Sequence, residues 1–214
     1  TLTLDANLFA GLAPDAVATV ALGPLAAFDV PGLLTELAAY PWGCSEQLVS
    51  RAMPLLYFAE TSRALGTSPA EIDARVAEAI RRLLGNQTAA GGFGLWGPQD
   101  GDAWLDAYVT DFLSRARGLG RAVPDRPFEA ALNNLSNRVA AYGDFETGGE
   151  DLAYALMVLA REGRAAIGDL RYYADVKAEA FATPLAQAQL GYALALARRD
   201  PGTARGLAVG AGIL

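Results

Sequence analysis

The residue types with the clearest chemical potential lie together at positions 40–47, in the stretch Tyr-Pro-Trp-Gly-Cys-Ser-Glu-Gln. Cys44 is the single cysteine of the 214-residue chain, and it precedes Gln47 by three residues at the predicted start of an amphipathic helix. Side chains three residues apart on a helical turn share a face, with Cβ atoms roughly 5–6 Å apart. The thiol of Cys44 can therefore reach the carboxamide carbon of Gln47, and a thioester can close there with loss of ammonia. The competing interpretation of a lone cysteine is a small buried hydrophobic residue.

The residues directly before Cys44 favour the thioester interpretation. Pro41, Trp42 and Gly43 predict a tight turn at the entrance to the helix, because proline and glycine set or permit the backbone angles that turns require. Gly43 has no side chain that would crowd an approach to the sulfur. We therefore expect the thiol to be presented at a helix entrance.

Composition excludes several classes of function. The chain has no histidine, which removes the His-containing catalytic triads and the usual zinc and haem ligands. The 17 basic and 24 acidic residues give a net charge of −7, and without an extended basic run we expect no binding to DNA or RNA. No run of roughly 18 apolar residues occurs, so this segment is not expected to contact a membrane directly. Neither a metal nor a cofactor is expected.

Hydrophobic periodicity and capping signals predict one all-α globular domain. Residues 1–28 show no helical period and are expected to be an extended lead-in. Helices are predicted near 31–38, 45–65, 69–84, 102–116, 125–141, 150–161, 166–177 and 184–198, with a further start at Thr203. Pro54 is expected to kink the second of these helices, and Ser68 with Glu71 predicts a capping box at the start of the third.

A repeated pattern links alternate helices. Each of four helices has a central tyrosine followed by Leu/Ala positions and a terminal arginine; the tyrosines are Tyr57, Tyr108, Tyr154 and Tyr192, separated by 51, 46 and 38 residues. This period corresponds to two helices with their loops, and helical hairpins of this kind stack into solenoids or close into rings. The preferred architecture is an α/α toroid with the tyrosine helices on the inner ring, and an open α-solenoid is the second choice.

The motif at 40–47 resembles the Gly-Cys-x-Glu-Gln thioester signature of the alpha-2-macroglobulin and complement family, and its leading Tyr-Pro-aromatic is similar to the bacterial branch. Two later stretches, Gly-Gly-Phe-Gly-Leu-Trp at 91–96 and Trp-Leu-Asp-Ala-Tyr-Val at 104–109, resemble the next landmarks of the thioester domain. The resemblance implies a thioester-containing helical toroid at 31–214, a lead-in from a neighbouring β-rich domain at 1–30, and a ring that is incomplete at its C-terminus.

The resemblance also implies roles for individual residues. Cys44 and Gln47 would form the thioester bond, Gly43 and Glu46 would support the motif, and the shield against water would include an aromatic side chain. The two residues assigned to that shield are Tyr40 and Trp42. Glu46 is equally well explained as a carboxylate in the first helical turn, where the helix dipole favours negative charge.

The function implied by the resemblance is single-use covalent capture and not catalytic turnover. After an endopeptidase cuts a bait region elsewhere in the protein, the exposed thioester would acylate a lysine of the attacker. The absence of histidine favours direct attack by amines over transfer to hydroxyl groups. The implied partners are endopeptidases and neighbouring domains of the same chain, and the implied location is periplasmic, with a lipid anchor in the full-length protein.

Two other classes of function stay open at this stage. Gln87 followed by Gly94-Leu95-Trp96 is similar to a structural turn motif of terpene cyclases, which share the α/α toroid and in which an aromatic packs against a helix end. An α/α glycosidase would need two inner-face carboxylates; the available ones are Asp102, Asp106, Glu150 and Asp151, each equally explained as a helix cap or a surface charge. A helical interaction module could use Tyr108, Tyr154 and Tyr192 to line a ligand cavity, although such a stripe is more often core packing.

Overall fold

The structure is a computed structural model that describes residues 29–39, 43–64 and 66–198, together with Ala10 and Gly11. The described residues form nine α-helices. They are α1 (Val30–Ala39), α2 (Ser45–Tyr57), α3 (Ala59–Ala64), α4 (Pro69–Gly85), α5 (Ala103–Gly118), α6 (Asp125–Ala140), α7 (Glu150–Arg161), α8 (Ile167–Val176) and α9 (Pro184–Arg198). A short 3₁₀ helix, Ala178–Ala180, precedes α9. Strands are absent from these residues apart from two isolated bridges, so the all-α prediction is confirmed.

The tyrosine-bearing helices form a continuous inner series. Helix α2 packs against α5, α5 against α7, and α7 against α9, whereas α4, α6 and α8 pack on α2, α5 and α9 respectively. Helix α7 is the most enclosed, since all of its residues from 152 to 160 are buried. Buried residues are more frequent on α5 and α7 than on α4, α6 and α8, which agrees with the predicted contrast between apolar inner helices and more polar intervening helices.

A buried polar cluster joins two helices of the inner series. The carboxylate of Asp111 on α5 is almost fully buried and accepts hydrogen bonds from Arg115 Nε at 2.8 Å and from Tyr154 Oη on α7 at 2.8 Å. Arg161, also on α7, forms an ion pair with the same carboxylate. Because a buried carboxylate is costly unless it is paired and hydrogen-bonded, these contacts hold α5 and α7 in one relative position.

Local signals set most helix boundaries as predicted. Ser68 accepts a hydrogen bond from Glu71 N at 3.2 Å while its own N–H donates to Glu71 Oε2 at 2.8 Å, which is the expected capping box. Asp102 accepts from Leu105 N at 2.7 Å and begins α5. The bounds predicted for α7 and α9 agree with the observed ones.

One helix boundary differs from its prediction. The stretch expected to be a single kinked helix over 45–65 is two helices, α2 and α3, separated at Phe58. Phe58 donates its N–H to Pro54 O at 2.8 Å and leaves the helical region with φ −105° and ψ 32°. Pro54 has no N–H to continue the preceding hydrogen-bond ladder, so the helix is weakened in this turn. The consequence is a break and not only a kink.

Two predicted segments lie outside the described residues. The extended lead-in predicted at 1–28 lies outside them apart from Ala10 and Gly11, and the helix expected from Thr203 falls within 199–214. The domain boundary at residue 30 therefore stays a prediction, although α1 begins at Val30. Among the helices that the structure describes, none combines the length and the apolar character needed to cross a membrane.

Candidate functional site

The N-terminus of α2 brings together the two residues predicted to react. Cys44 is the N-cap, with φ −66° and ψ 164°, and Gln47 is the third residue of the helix. The two residues contact each other reciprocally in a capping box: the Gln47 N–H points to the Cys44 side chain, and Gln47 Oε1 accepts from Cys44 N at 3.4 Å. The thiol and the carboxamide therefore lie on the same turn, as the spacing predicts.

Ser45 anchors this turn to a distant part of the chain. Its side chain is fully buried, at 0% exposure, and its hydroxyl donates to Gly94 O at 2.6 Å while accepting from Asn86 Nδ2 at 2.9 Å. Its backbone N–H donates to Leu95 O at 2.8 Å. An N-terminal helical N–H has no intrahelical partner, so the loop after α4 supplies the acceptor that α2 lacks. We call these four residues, Ser45, Asn86, Gly94 and Leu95, the loop clamp.

The glycine-rich loop that carries the clamp is closely packed against itself. Gly94 donates its N–H to Asn86 O at 3.1 Å, and a Cβ at Gly94 would lie 2.1 Å from Gly97 O. The preceding Phe93 is fully buried and donates its N–H to Asp106 Oδ1 at 2.7 Å. The loop predicted at 91–97 is thus confirmed, and its backbone carbonyls reach the site.

Asp106 holds this loop against the inner helices and corrects a prediction. The sequence leaves it open as an inner-face carboxylate, a helix cap or a surface charge; the last of these is wrong, because its side chain is fully buried. It accepts from Asn134 Nδ2 at 2.7 Å, and Arg138 Nε lies 2.6 Å from Oδ2 in an ion pair, although that N–H does not point at the oxygen. Burial raises the pKa of Asp106, while its hydrogen bonds to Phe93 and Asn134 and the positive charge of Arg138 act in the opposite direction.

Gly43 has a different role from the one predicted. The space where its side chain would lie is occupied by a guanidinium, since a Cβ there would be 2.4 Å from Arg82 Nη2. The same nitrogen donates to Gly43 O at 3.0 Å. Because Gly43 has no side chain, the Arg82 guanidinium can lie there, and no open space is left beside the motif. The expectation of an unobstructed approach to the Cys44 sulfur from this side is therefore wrong.

Glu46 connects the motif to the inner face of α5. Its carboxylate accepts from Ser50 Oγ at 2.9 Å, and that hydroxyl lies 3.0 Å from Tyr108 Oη. Tyr108 stacks on Trp104, with ring centroids 4.9 Å apart. Burial raises the pKa of Tyr108, and its contact with Ser50 acts against this shift. Glu46 thus has a defined hydrogen-bond partner in the first turn of α2, whereas the predicted shielding residues Tyr40 and Trp42 lie outside the described residues.

The carboxylates considered for a glycosidase have structural contacts. Asp102 caps α5, and Asp151 accepts from Tyr142 Oη at 2.7 Å and from Leu152 N at 2.9 Å. Glu150 lies in the first turn of α7. Within the described part of the chain, no group of three or more His, Cys, Asp or Glu side chains is placed to hold a metal ion.

The features considered for a cyclase or an interaction module also have structural explanations. Gln87 donates from Nε2 to Pro127 O at 2.9 Å and to Gly91 O at 3.2 Å, which ties the loop to the start of α6. Trp96, expected to pack against a helix end, is 68% exposed, and the buried aromatic of this loop is Phe93. In the tyrosine row Tyr154 is buried in the core, while Tyr192 is exposed beside a cavity at the C-terminal ends of α5 and α7.

The fold and the site define a helical-hairpin domain in which a Cys-x-x-Gln pair is held at a helix N-terminus by the loop that joins α4 to α5. The A-macroglobulin TED domain family matches residues 17–158, about two thirds of the chain. The chain belongs to this family.

Individual relatives agree with this assignment. Alpha-2-macroglobulin of Xylella fastidiosa (strain Temecula1) is 34% identical over 210 residues, covering 91% of this chain and 13% of the relative. A crystal structure of Salmonella alpha-2-macroglobulin reacted with methylamine has a TM-score of 0.72 and 32% identity, covering 86% of this chain and 13% of that one. Trypsin-activated alpha-2-macroglobulin from Escherichia coli has a TM-score of 0.69 and 33% identity, covering 81% and 13%. The chain therefore spans about an eighth of the length of these relatives.

Proposed function

We propose that Cys44 and Gln47 form an intramolecular thioester that serves as a stored acyl donor. The observation that carries the proposal is the capping box, in which the two reacting side chains occupy one turn and each faces the backbone of the other residue. Formation of the bond joins Cys44 Sγ to Gln47 Cδ and releases the amide nitrogen as ammonia, with the thiol proton leaving on it. The membership of the chain in the A-macroglobulin TED family supports this assignment.

The backbone contributes to this chemistry through Cys44 N–H. That N–H lies 3.4 Å from Gln47 Oε1, the oxygen on which negative charge develops when the sulfur attacks the adjacent carbon. A donor already directed at this oxygen stabilises the charge without reorganisation. The loop clamp supports the same step, because Ser45 is the residue directly after Cys44 and its N–H and hydroxyl are fixed by carbonyls of the glycine-rich loop.

The proposed outcome is covalent capture of an attacking endopeptidase by the whole protein. A primary amine, such as a lysine side chain, attacks the thioester carbonyl, an amide forms, and the Cys44 thiol is released. The reaction is used once because the amide does not revert. Support comes from the relatives: the Salmonella structure is of protein reacted with methylamine, and the E. coli structure is of protein activated by trypsin.

Endopeptidase inhibition, contacts with neighbouring domains and a periplasmic location are parts of the same proposal for the whole protein. Glu46 and Gly43 have supporting roles in it, through Ser50 and Arg82 respectively. Tyr40 and Trp42 are proposed to shield the bond from water.

Peptide mass spectrometry of the freshly isolated whole protein tests the thioester directly. We expect the peptide that contains Cys44 and Gln47 to be lighter by one ammonia, and methylamine to convert it to the methylamide with appearance of a free Cys44 thiol. A peptide of unmodified mass with a free thiol before any treatment would argue against the proposal.

Two substitutions separate the chemical role from the structural one. Cys44→Ser keeps a favoured N-cap residue, so the fold should persist while methylamine incorporation is lost. Gln47→Glu keeps an oxygen for Cys44 N–H but removes the ammonia leaving group, so it should also abolish incorporation. If either variant still captures methylamine at this turn, the assignment of the reacting pair is wrong. If Cys44→Ser unfolds the protein, the cysteine acts as a buried hydrophobic residue.

A further inference from the structure

A cavity of about 440 Å³ lies between α1, α2 and α4. Its floor is apolar: Leu48, Ala52 and Ala79 are buried, and Leu34 and Leu37 on α1 are half-buried along one wall. Ligand pockets of soluble proteins commonly have such a volume and an apolar lining with a few directed polar groups. This cavity is separate from the loop clamp, to which it contributes none of its lining residues.

The rim of the cavity is cationic although the chain as a whole is acidic. Arg51, Arg75 and Arg82 line it, against Glu78 as the single carboxylate of the lining, in a chain of net charge −7. Glu78 is engaged by Arg81 through hydrogen bonds at 2.6 and 2.8 Å. Among the described residues, no carboxylate lies within ion-pair distance of Arg51 or Arg75. Arg75 is near enough to Glu71 on the same helix to lower the pKa of that carboxyl but forms no ion pair with it, so the guanidinium groups of Arg51 and Arg75 are both available to bind an anion.

We propose that this cavity binds an amphipathic carboxylate, with its aliphatic chain on the apolar floor and its carboxylate on Arg51 and Arg75. The planar guanidinium presents paired N–H donors that match a carboxylate. The apolar floor selects against small hydrated anions, which would have nothing to place there. The two halves of the cavity therefore define one ligand with a charged head and an aliphatic tail.

Arg82 connects this site to the thioester motif. Its guanidinium lines the cavity and also donates to Gly43 O, one residue before Cys44. A bound carboxylate attracts the Arg82 guanidinium and competes with the Gly43 carbonyl for its N–H groups. Loss of the hydrogen bond to Gly43 O loosens the chain before Cys44. This coupling rests on the proposed thioester function, whereas binding itself does not.

Binding is tested with dodecanoate and the whole protein, by isothermal titration calorimetry below the micellar concentration. We expect saturable binding of dodecanoate, and no saturable binding of acetate or dodecylamine, which lack the tail or carry the opposite charge. Absence of dodecanoate binding, or equal binding of dodecylamine, would overturn the proposal.

Matched variants locate the ligand. The double substitution Arg51→Gln and Arg75→Gln should weaken dodecanoate binding by about tenfold or more, and Leu34→Trp should block the apolar part of the cavity. Arg126→Gln is the control for charge, because Arg126 is exposed on α6 and does not line the cavity. Unchanged binding in both the double variant and Leu34→Trp would place the ligand elsewhere and refute the assignment.

The coupling has a separate readout. Saturating dodecanoate should accelerate methylamine incorporation at Cys44–Gln47, and Arg82→Gln should abolish this acceleration. Binding without any change in the incorporation rate would refute the coupling and leave the binding site supported. Absence of incorporation with or without dodecanoate, accompanied by normal binding, would instead contradict the proposed thioester.

Discussion

Gly94→Ala is the substitution that most directly tests how the site is held. The added Cβ would lie 2.1 Å from Gly97 O and 2.9 Å from both Gln99 N and Gln99 O. These are backbone atoms of a tight loop, so the clash cannot be relieved by rotating a side chain. The loop must move, and the carbonyls of Gly94 and Leu95 must move with it.

The expected increase in amide exchange follows from the hydrogen bonds that are lost. Ser45 gives one hydrogen bond to each of these carbonyls, at 2.6 and 2.8 Å. A buried hydrogen bond contributes about 1 kcal/mol on average, so losing both costs about 2 kcal/mol locally. Since 1.4 kcal/mol corresponds to a factor of ten, the Ser45 amide should exchange about 30-fold faster.

Hydrogen–deuterium exchange of the whole protein, read at the peptide that begins α2, measures this effect. The thioester content, measured by peptide mass, should fall together with amide protection. Gly97→Ala is the matched control, because a Cβ at Gly97 would meet nothing within 4 Å. If Gly94→Ala and Gly97→Ala show the same Ser45 exchange and the same thioester content, the loop clamp does not position the site and the reasoning fails.

Two further substitutions test the supports of the site and of α4. Asp106→Asn removes the charge that faces Arg138 and should lower the free energy of unfolding by about 2–4 kcal/mol, measured by chemical denaturation. The loss is smaller than for a fully buried ion pair because Arg138 is partly exposed. An unchanged denaturation midpoint would contradict this. The Ser68 N–H and hydroxyl lower the pKa of Glu71 from its ordinary 4.5, so the stability it adds is present above that value and is lost as pH falls through the lowered native pKa. Glu71→Gln should remove this part of the acid dependence in thermal melts between about pH 3 and 5, and an identical pH profile would refute the assignment.

Local sequence signals were sufficient for most of the fold. The start of α4 depends on Ser68 and Glu71, two residues three positions apart that bond to each other, and such local interactions are visible in sequence. The break at Phe58 was not predicted from the same kind of signal. Pro54 indicates a weakened helix, but whether the chain bends or breaks there depends on how the next turn packs.

The support of the site was much less accessible to prediction. Ser45 is 49 residues from its acceptor Gly94, and that acceptor is a backbone carbonyl that every residue type possesses. No residue pattern distinguishes a carbonyl that will face a helix N-terminus from one that will face solvent. Asp106 was equally hidden, because its burial depends on the positions of Asn134 and Arg138, two helical residues of α6. The glycines at 91–97 predict a loop, but they do not predict that the loop contacts the N-terminus of α2.

The proposed chemistry has two requirements, proximity of the reacting groups and stability of the turn that carries them, and only the first is predictable from sequence. Any helix that begins with Cys-x-x-Gln brings a thiol and a carboxamide onto one turn, so proximity is a local property of α2. Holding that turn against hydrolysis and fraying requires the loop after α4, and that loop is held by Asp106 on α5 with Asn134 on α6. The reacting pair thus depends on contacts from the loop after α4 and, through that loop, from helices α5 and α6. A peptide that contains only α2 should therefore present both groups but accumulate no stable thioester, because its first turn lacks the carbonyls of Gly94 and Leu95.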